Sequence, residues 1–406
     1  MTNLFGILGN NYCIIVLGGC FMGYVISDDE FKSSKDFLSW FLENMPLNKE
    51  LEFKCSDNIK NLYLFLIYYF SSKKDIQKGV EKYNKSLKCE DNVFIEEGID
   101  EFIISNTGGK YLRAVLAGLG YNVFGGKDNY YIPLAIALEI FQTSILIHDD
   151  IIDKSEMRRG EDTIPLRYRK KYKNIGDVSN SLALCLGDLG FYLANNVLVN
   201  NYSNFSNLSV LLKYYNDMAI KTCKGEIIDV ILPFYEKNIG GFDNLEDTVN
   251  LIYELKTAWY SVVSPFTLGC ILGGASLDDV KSIERALINI GTAYQIKDDL
   301  LGIYGDEKVV GKSSSDISEF KQTILYSYTI HTNYKDELLK YYGSDDLESV
   351  NKVKEIFDKS GAKKYAIKTM EKLFDESSSK ISLLDIDLEH KNILLGFCEF
   401  LKVRGK

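Results

Sequence analysis

The sequence predicts an all-α protein, and three observations predict it. Only five prolines occur in 406 residues. Apolar residues recur mostly at spacings of three and four, the period of a helix face. Strand-like alternation is rare, and no internal repeat or low-complexity tract interrupts the pattern. The length suffices to bury a core, and 46% hydrophobic with 26% charged residues is a globular balance.

A formal net charge of −10 argues against a nucleic-acid binder, which would carry a basic face. It leaves room for local cationic pockets. Only seven of the basic residues are arginines, and Arg113, Arg158 and Arg159 fall in the motifs described below. The guanidinium fork suits phosphate oxygens. Eight scattered cysteines without a CxxC pair read as reduced thiols of a cytoplasmic protein. The three histidines lie far apart, which argues against a zinc site or a His-based triad.

Taken in order, the chain begins with an N-terminal extension, residues 1–73. Within it, residues 4–27 carry no charge. The run is long enough to cross a membrane, and Gly19 and Gly23 have the spacing of a helix-packing pair. Five glycines and Asn10-Asn11 weaken it as a span, and no Lys or Arg precedes it as in a signal peptide. A membrane anchor and a helix packed on the body or on a partner subunit both remain open. If it spans, Lys32 and Lys35 place the bulk of the chain in the cytoplasm. Asn61–Phe70 is too short to span and reads as a core helix. From residue 74 to 406 the chain reads as helices joined by short polar loops, beginning with Asp75–Cys89 and Val93–Ser105.

Next comes Gly108-Gly109-Lys110-Tyr111-Leu112-Arg113. Two glycines free the backbone, and the Lys and Arg three apart share a side of the next turn, a plausible anion cradle. Pro133 opens the central helix. From Leu134 to His148 only Glu139 is charged, so this helix must be enclosed by protein. It ends in Asp149, Asp150 and Asp153, followed by Arg158-Arg159. Asp149 and Asp153 share a face, and Gln142 lies two turns down on about the same face. Crowded carboxylates without His or Cys favour magnesium, completed by water and phosphate.

Gly187-Asp188 and the run Lys221–Asp229 follow on further helices. Lys256-Thr257 precede Pro265, which should kink their helix. Ala293–Lys312 then carries Gln295, Asp298, Asp299, Asp306 and Lys312 on a second apolar helix. Two acidic clusters, each trailed by basic residues, point to a shared metal–diphosphate site.

These motifs, in this order, resemble those of the trans-isoprenyl diphosphate synthases over about residues 74–406. Gly108-Gly109-Lys110-x-x-Arg113 is similar to the family's isopentenyl-diphosphate loop. Asp149-Asp150-x-x-Asp153 with Arg158-Arg159-Gly160 is similar to the first aspartate-rich motif. Tyr294-Gln295-Ile296-x-Asp298-Asp299, with Gly305-Asp306 and Gly311-Lys312, is similar to the second. Lys256-Thr257, Lys321 and Ser360-Gly361-Ala362 also match family features. The resemblance implies an isoprenoid-synthase-type helical bundle around a central apolar cavity, forming a homodimer. It implies that Asp149, Asp153 and Asp298 hold magnesium, about three ions in all, with Asp150 and Asp299 behind them. Arg158, Lys256, Thr257, Gln295, Lys312 and Lys321 would hold the allylic diphosphate. Lys110, Arg113, Gln142 and Arg159 would hold isopentenyl diphosphate.

The chain departs from the family at four positions. Tyr111 stands for a common Arg, Ala114 for Pro and Gln142 for His. Gly302 stands where many members carry the second motif's third Asp, so weaker metal binding is expected there. In the family, bulky residues four and five positions before the first Asp floor the pocket for fifteen-carbon products. Here these are Ile145 and Ser144, and Ser144 is small. Phe141 lies three residues deeper, about 4.5 Å at about 1.5 Å per residue. The expected product is the twenty-carbon geranylgeranyl diphosphate. The alternative is that Phe141 faces the core and the tunnel runs on to longer, quinone-type tails. A class I terpene cyclase would carry an Asn/Ser/Glu metal triad instead of the second aspartate cluster. A non-catalytic regulatory subunit is the binding-protein alternative.

Overall fold

The computed structural model describes residues 24–27, 31, 33–44, 51–88, 92–239, 244–305 and 315–404. The described chain is a helical bundle, as the apolar periodicity predicts. Two short ladders accompany it: Tyr24–Ser27 (β1) pairs in parallel with Leu51–Lys54 (β2), and Met157–Arg158 (β3) pairs with Glu161–Asp162 (β4). The end of the N-terminal apolar run is therefore a strand. The rest of residues 4–27 lies outside the described residues.

Ser34–Asn44 (α1) buries Phe37 and Phe41 against Asp57–Ser86 (α2) and the C-terminal helix. The two helices expected at Asn61–Phe70 and Asp75–Cys89 are one helix, α2. The intervening Ser71-Ser72-Lys73-Lys74 is polar but contains no Gly or Pro, and polarity alone does not break a helix. The boundary expected at residues 73 and 74 falls inside α2. Val93–Ser105 (α3) follows as expected, with the Asn92 side chain accepting from Phe94 N–H. Leu112–Val123 (α4) comes next.

The central helix is Ile132–Ile152 (α5), with Pro133 in its first turn. The phenol of Tyr202 accepts from Leu134 N–H at 3.0 Å, satisfying a first-turn amide that has no partner within the helix. Residues 134–145 are all buried. The enclosing elements include α2, α4, Ile164–Lys171 (α6), Val178–Tyr202 (α7) and Ser264–Gly273 (α10). The long hairpin of α7 and Leu208–Asn238 (α8) leads to Leu245–Ile252 (α9).

Between α9 and α10 the chain makes eleven residues of π-helix, Tyr253–Val263. Pro265 falls in the first turn of α10, so the disturbance expected of it appears as a π-to-α change in one rod. Leu277–Tyr304 (α11) opens on a capping box of Ser276 and Asp279. After residue 314 come Ser315–Ser318 (α12), Ile324–Thr329 (α13), Lys335–Tyr341 (α14), Leu347–Ser360 (α15), Ala362–Ser382 (α16) and Leu388–Val403 (α17). Helix α17 returns to pack along α2, and α16 along α11.

Helices α4 and α10 cross backbone to backbone. A Cβ at Gly269 would collide with the Ala117 carbonyl, and one at Gly120 with the Phe266 carbonyl. Carbonyl groups of buried helices cannot retreat as a side chain does. Gly269→Ala is therefore expected to lower stability by about 1–3 kcal/mol. Urea unfolding would show it as a lower midpoint with an unchanged slope.

Candidate active site

The first pocket is built at the start of α4. Gly108 has φ +76°, a conformation that suits glycine. Gly109 serves close approach: a Cβ there would lie 3.3 Å from Glu139 Oε2 and 3.8 Å from Arg159 Nη1. Arg113 donates to Ser261 Oγ at 2.6 Å and lies 4.2 Å from the Tyr260 ring centre. Its Nε and the Oε1 of Gln142 are buried without a hydrogen-bond partner among the described residues. Lys110 stands exposed on the loop, its carbonyl accepting from Tyr69.

Arg158-Arg159-Gly160 forms a hairpin. Arg159 and Gly160 are the two turn residues between β3 and β4, with φ of +56° and +83°. That is the signature of a primed turn, for which Gly is suited. The turn aims Arg159 at the pocket. Glu139, the lone charge in the apolar run, is buried there. Burial pushes its pKa up, while Arg113 and Arg159 pull it down. The structure thus gathers Arg113, Gln142 and Arg159 on one side of α5, around a carboxylate with no role assigned from sequence.

The mouth lies at the C-terminal end of α5. Asp149 and Asp150 sit in the last turn, and Asp153 caps it. Acids there oppose the helix dipole, and cations from elsewhere answer them. Arg158 Nε donates to Asp150 at 2.6 Å. Lys321 Nζ lies 3.5 Å from Asp153 and 3.1 Å from Glu319. Lys256, in the π segment, lies 2.6 Å from Glu226, 2.6 Å from Asp229 and 4.0 Å from Asp149.

Burial raises the Glu226 pKa to about 7, with Lys256 opposing and Asp149 adding to the rise. Burial also pushes Asp229 up, but Lys256 and Lys321 outweigh it and hold this acid below its ordinary range. Glu226 and Asp229 were passed over in the sequence. Their signal was the run Lys221–Asp229, where two acids three apart share a helix face.

The second cluster lies on α11. Asp298 pairs with Arg404 at 3.1 Å. Asp299 accepts from the Tyr253 hydroxyl and from Gln295 Nε2 at 2.8 Å, and Gln295 Oε1 accepts from Thr257 at 2.6 Å. Burial, then Asp316, pushes the Asp299 carboxyl up to about 8. Tyr253 and Arg404 are further residues the sequence reading missed. Asp306 and Lys312 lie outside the described residues.

Below the mouth, Phe141 is enclosed by the rings of Phe191 at 5.4 Å, Tyr215 at 5.9 Å and Tyr260 at 6.3 Å. Ser144 is fully buried, and its hydroxyl occupies the space that a Cβ on Gly190 would need. Its small size thus also serves the contact of α5 with α7. Ile145 is buried beside it.

Asp149 and Asp153 are each about one-fifth exposed, with oxygen donors open to the mouth. Among the described residues no three His, Cys, Asp or Glu groups converge closely enough to hold an ion alone. Magnesium takes one or two carboxylates and completes its shell with water and phosphate, so this donor set fits it.

A sequence model of the polyprenyl synthetase family matches residues 97–360, spanning both pockets and both acidic clusters. The chain belongs to the polyprenyl synthetase family. It is a prenyltransferase, of a family that uses magnesium in general. A short chain isoprenyl diphosphate synthase of Methanothermobacter thermautotrophicus is 30% identical to this polyprenyl synthetase over 263 residues, 64% of this chain and 75% of that one. Farnesyl pyrophosphate synthase 2 of Cannabis sativa is 29% identical over 264 residues, 62% and 73% of the two chains. The crystal structure of a geranylgeranyl pyrophosphate synthase of Corynebacterium glutamicum, complexed with isoprenyl diphosphate and magnesium, superposes with a TM-score of 0.73. It is 22% identical and covers 81% of this chain and 97% of its own, which shows the fold.

The end of α17 locks onto α11 in this polyprenyl synthetase. Lys297 Nζ donates to the Lys402 carbonyl beside Arg404. Burial, reinforced by Arg404, lowers the Lys297 pKa to about 8. Between that value and its ordinary value near 10.5, the unfolded chain binds the extra proton. This group's contribution to stability therefore rises with pH across that window. Lys297→Met should remove the rise. The expected result is a variant-minus-parent Tm that is highest below pH 8 and falls toward pH 10; a pH-independent difference would contradict it.

Proposed function

We propose that the enzyme condenses isopentenyl diphosphate head to tail with an allylic diphosphate (dimethylallyl, geranyl or farnesyl). The product would be a trans-polyprenyl diphosphate, geranylgeranyl diphosphate in the main. The observation that carries this is the pair of separate anion sites: a lysine-bridged acidic mouth, and the Arg113–Arg159 pocket beside it on the same central helix.

Magnesium, bound through Asp149, Asp153 and Asp298, would supply positive charge to the departing pyrophosphate. Lys256, Lys321 and Arg158 balance the same charge as the allylic C–O bond breaks and its electron pair leaves with the pyrophosphate. Thr257 and Gln295 orient that group, with Asp299 fixing Gln295. Lys110, Arg113, Gln142 and Arg159 hold the second diphosphate so that its double bond faces the cation. The new C–C bond forms, a proton passes to the pyrophosphate, and an allylic diphosphate is regenerated. The apolar well beneath excludes water that would quench the cation.

For product length, Phe141 lies about 12 Å below Asp149 at about 1.5 Å per residue. The rings of Phe191, Tyr215 and Tyr260 back it, which supports a closed floor. Purified protein given magnesium, isopentenyl diphosphate and farnesyl diphosphate should yield an elongated linear diphosphate. A hydrocarbon product would indicate a cyclase, and no turnover a non-catalytic subunit. Phe141→Ala should lengthen the product by one or more isoprene units; unchanged length would remove Phe141 as the floor.

A homodimer is proposed on a different observation. Helix α7 exposes Val178, Leu182, Cys185, Tyr192 and Val199 at helical spacing, and α8 exposes Ile220, Cys223, Ile227, Ile231 and Phe234. Tyr192 is 76% and Ile227 67% exposed. Paired apolar stripes of this length mark a protein interface, and a second copy presents the same stripes. Sedimentation should give a dimer, and Ile227→Glu with Phe234→Glu a monomer. Among the described residues, the free thiols Cys185, Cys223, Cys270 and Cys398 suit the reducing cytoplasm as the working compartment.

A further inference from the structure

Position 302 on α11 lies one turn beyond Asp298, on the same helix face. A carboxylate there would complete an acidic triplet, but the residue is Gly302. The space is nevertheless not empty. A Cβ built on Gly302 would lie 2.8 Å from Asp316 Oδ2 and 3.8 Å from its Cγ. The carboxylate of Asp316, on α12, thus fills the volume that a side chain at 302 would enter.

Its surroundings tie it to the mouth. Lys321 N–H donates to the Asp316 carbonyl at 2.9 Å, and Lys321 Nζ reaches Asp153 at 3.5 Å. Asp153, Asp229 and Asp316 all act on the Lys321 ammonium. Helix α12 is pinned from below: Ile317 is fully buried, and its carbonyl accepts from Gly343 N–H at 2.9 Å. Asp316 is therefore placed by packing and faces the second acidic cluster.

We propose that Asp316 supplies, from a different element, the third carboxylate that the second acidic cluster lacks at Gly302, and so helps hold the shell of the divalent cation bound there. This rests on the reading of Asp149, Asp153 and Asp298 as a magnesium–diphosphate site. Outer carboxylates of this kind orient the ligands and waters of a metal rather than bind it alone.

The test is Mn²⁺ binding to the full chain with inorganic pyrophosphate, followed by electron paramagnetic resonance. The parent should bind Mn²⁺, and Asp316→Asn, which keeps the shape, should bind it about tenfold to a hundredfold more weakly. Gly302→Asp alone should lower Tm, because two carboxylates then compete for one volume. Gly302→Asp with Asp316→Ala should bring Mn²⁺ affinity back toward the parent value. Loss in the single variant with recovery in the swap supports the inference. Equal Mn²⁺ affinity in the parent and Asp316→Asn, or a swap no tighter than Asp316→Ala alone, overturns it. Absence of Mn²⁺ binding in the parent overturns the metal-site reading itself and the inference with it.

Discussion

Asp149 belongs to α5, and Glu226 and Asp229 to α8. They share one mouth because the Lys256 ammonium stands between them. Without it, three largely buried carboxylates would face one another across a low-dielectric gap, and at least one would stay protonated. The position of Lys256 depends in turn on backbone packing. A Cβ at Gly225 would lie 2.5 Å from the Lys256 backbone nitrogen, so α8 and the π segment touch main chain to main chain. That contact brings the lysine within reach of both helices. Lys321 plays the matching part for Asp153 and Glu319. Carboxylates still outnumber ammonium groups at the mouth, which leaves it attractive to a divalent cation.

The parts that were legible in the sequence are those whose cause is local. Pro133 and the apolar run from Leu134 were enough to place α5, because a first-turn proline and helical periodicity act within a few residues. The Gly108-Gly109 loop was legible for the same reason, whereas the turn at Arg159-Gly160 came only with the structure. What escaped depends on distant packing. Glu226 and Asp229 stood in plain view on α8, but their partner Lys256 comes from another element. Nothing local in Tyr253–Val263 announces a π-helix beyond Pro265 at its end. Ser144 shows the opposite difficulty: a small residue at that position suits an open tunnel, and it equally suits a helix that must approach Gly190. Arg404, the last described residue, reaches Asp298 only because α17 folds back along α2.

The proposed floor at Phe141 and the acidic mouth are mechanically joined. His148, next to Asp149, stacks on Phe191 at 5.3 Å with the rings 8° apart, and Phe191 packs on Phe141. The His148 ring is fixed by the Ser144 carbonyl at 3.0 Å and by Asp188 at 3.3 Å. On the other side, Tyr260 touches both Phe141 and the Arg113 guanidinium. One row of rings therefore links the shoulder of the first acidic cluster, the proposed floor and the pocket of Arg113. Close-packed interiors transmit displacement rather than absorb it. A substitution that deepens the floor also loosens the seat of His148 and of Arg113. Chain length and catalytic rate should thus be coupled in this protein, with changes at Phe191 or Tyr260 affecting both and changes at Tyr215, whose ring contact among the described residues is with Phe141, affecting length with least disturbance of the chemistry.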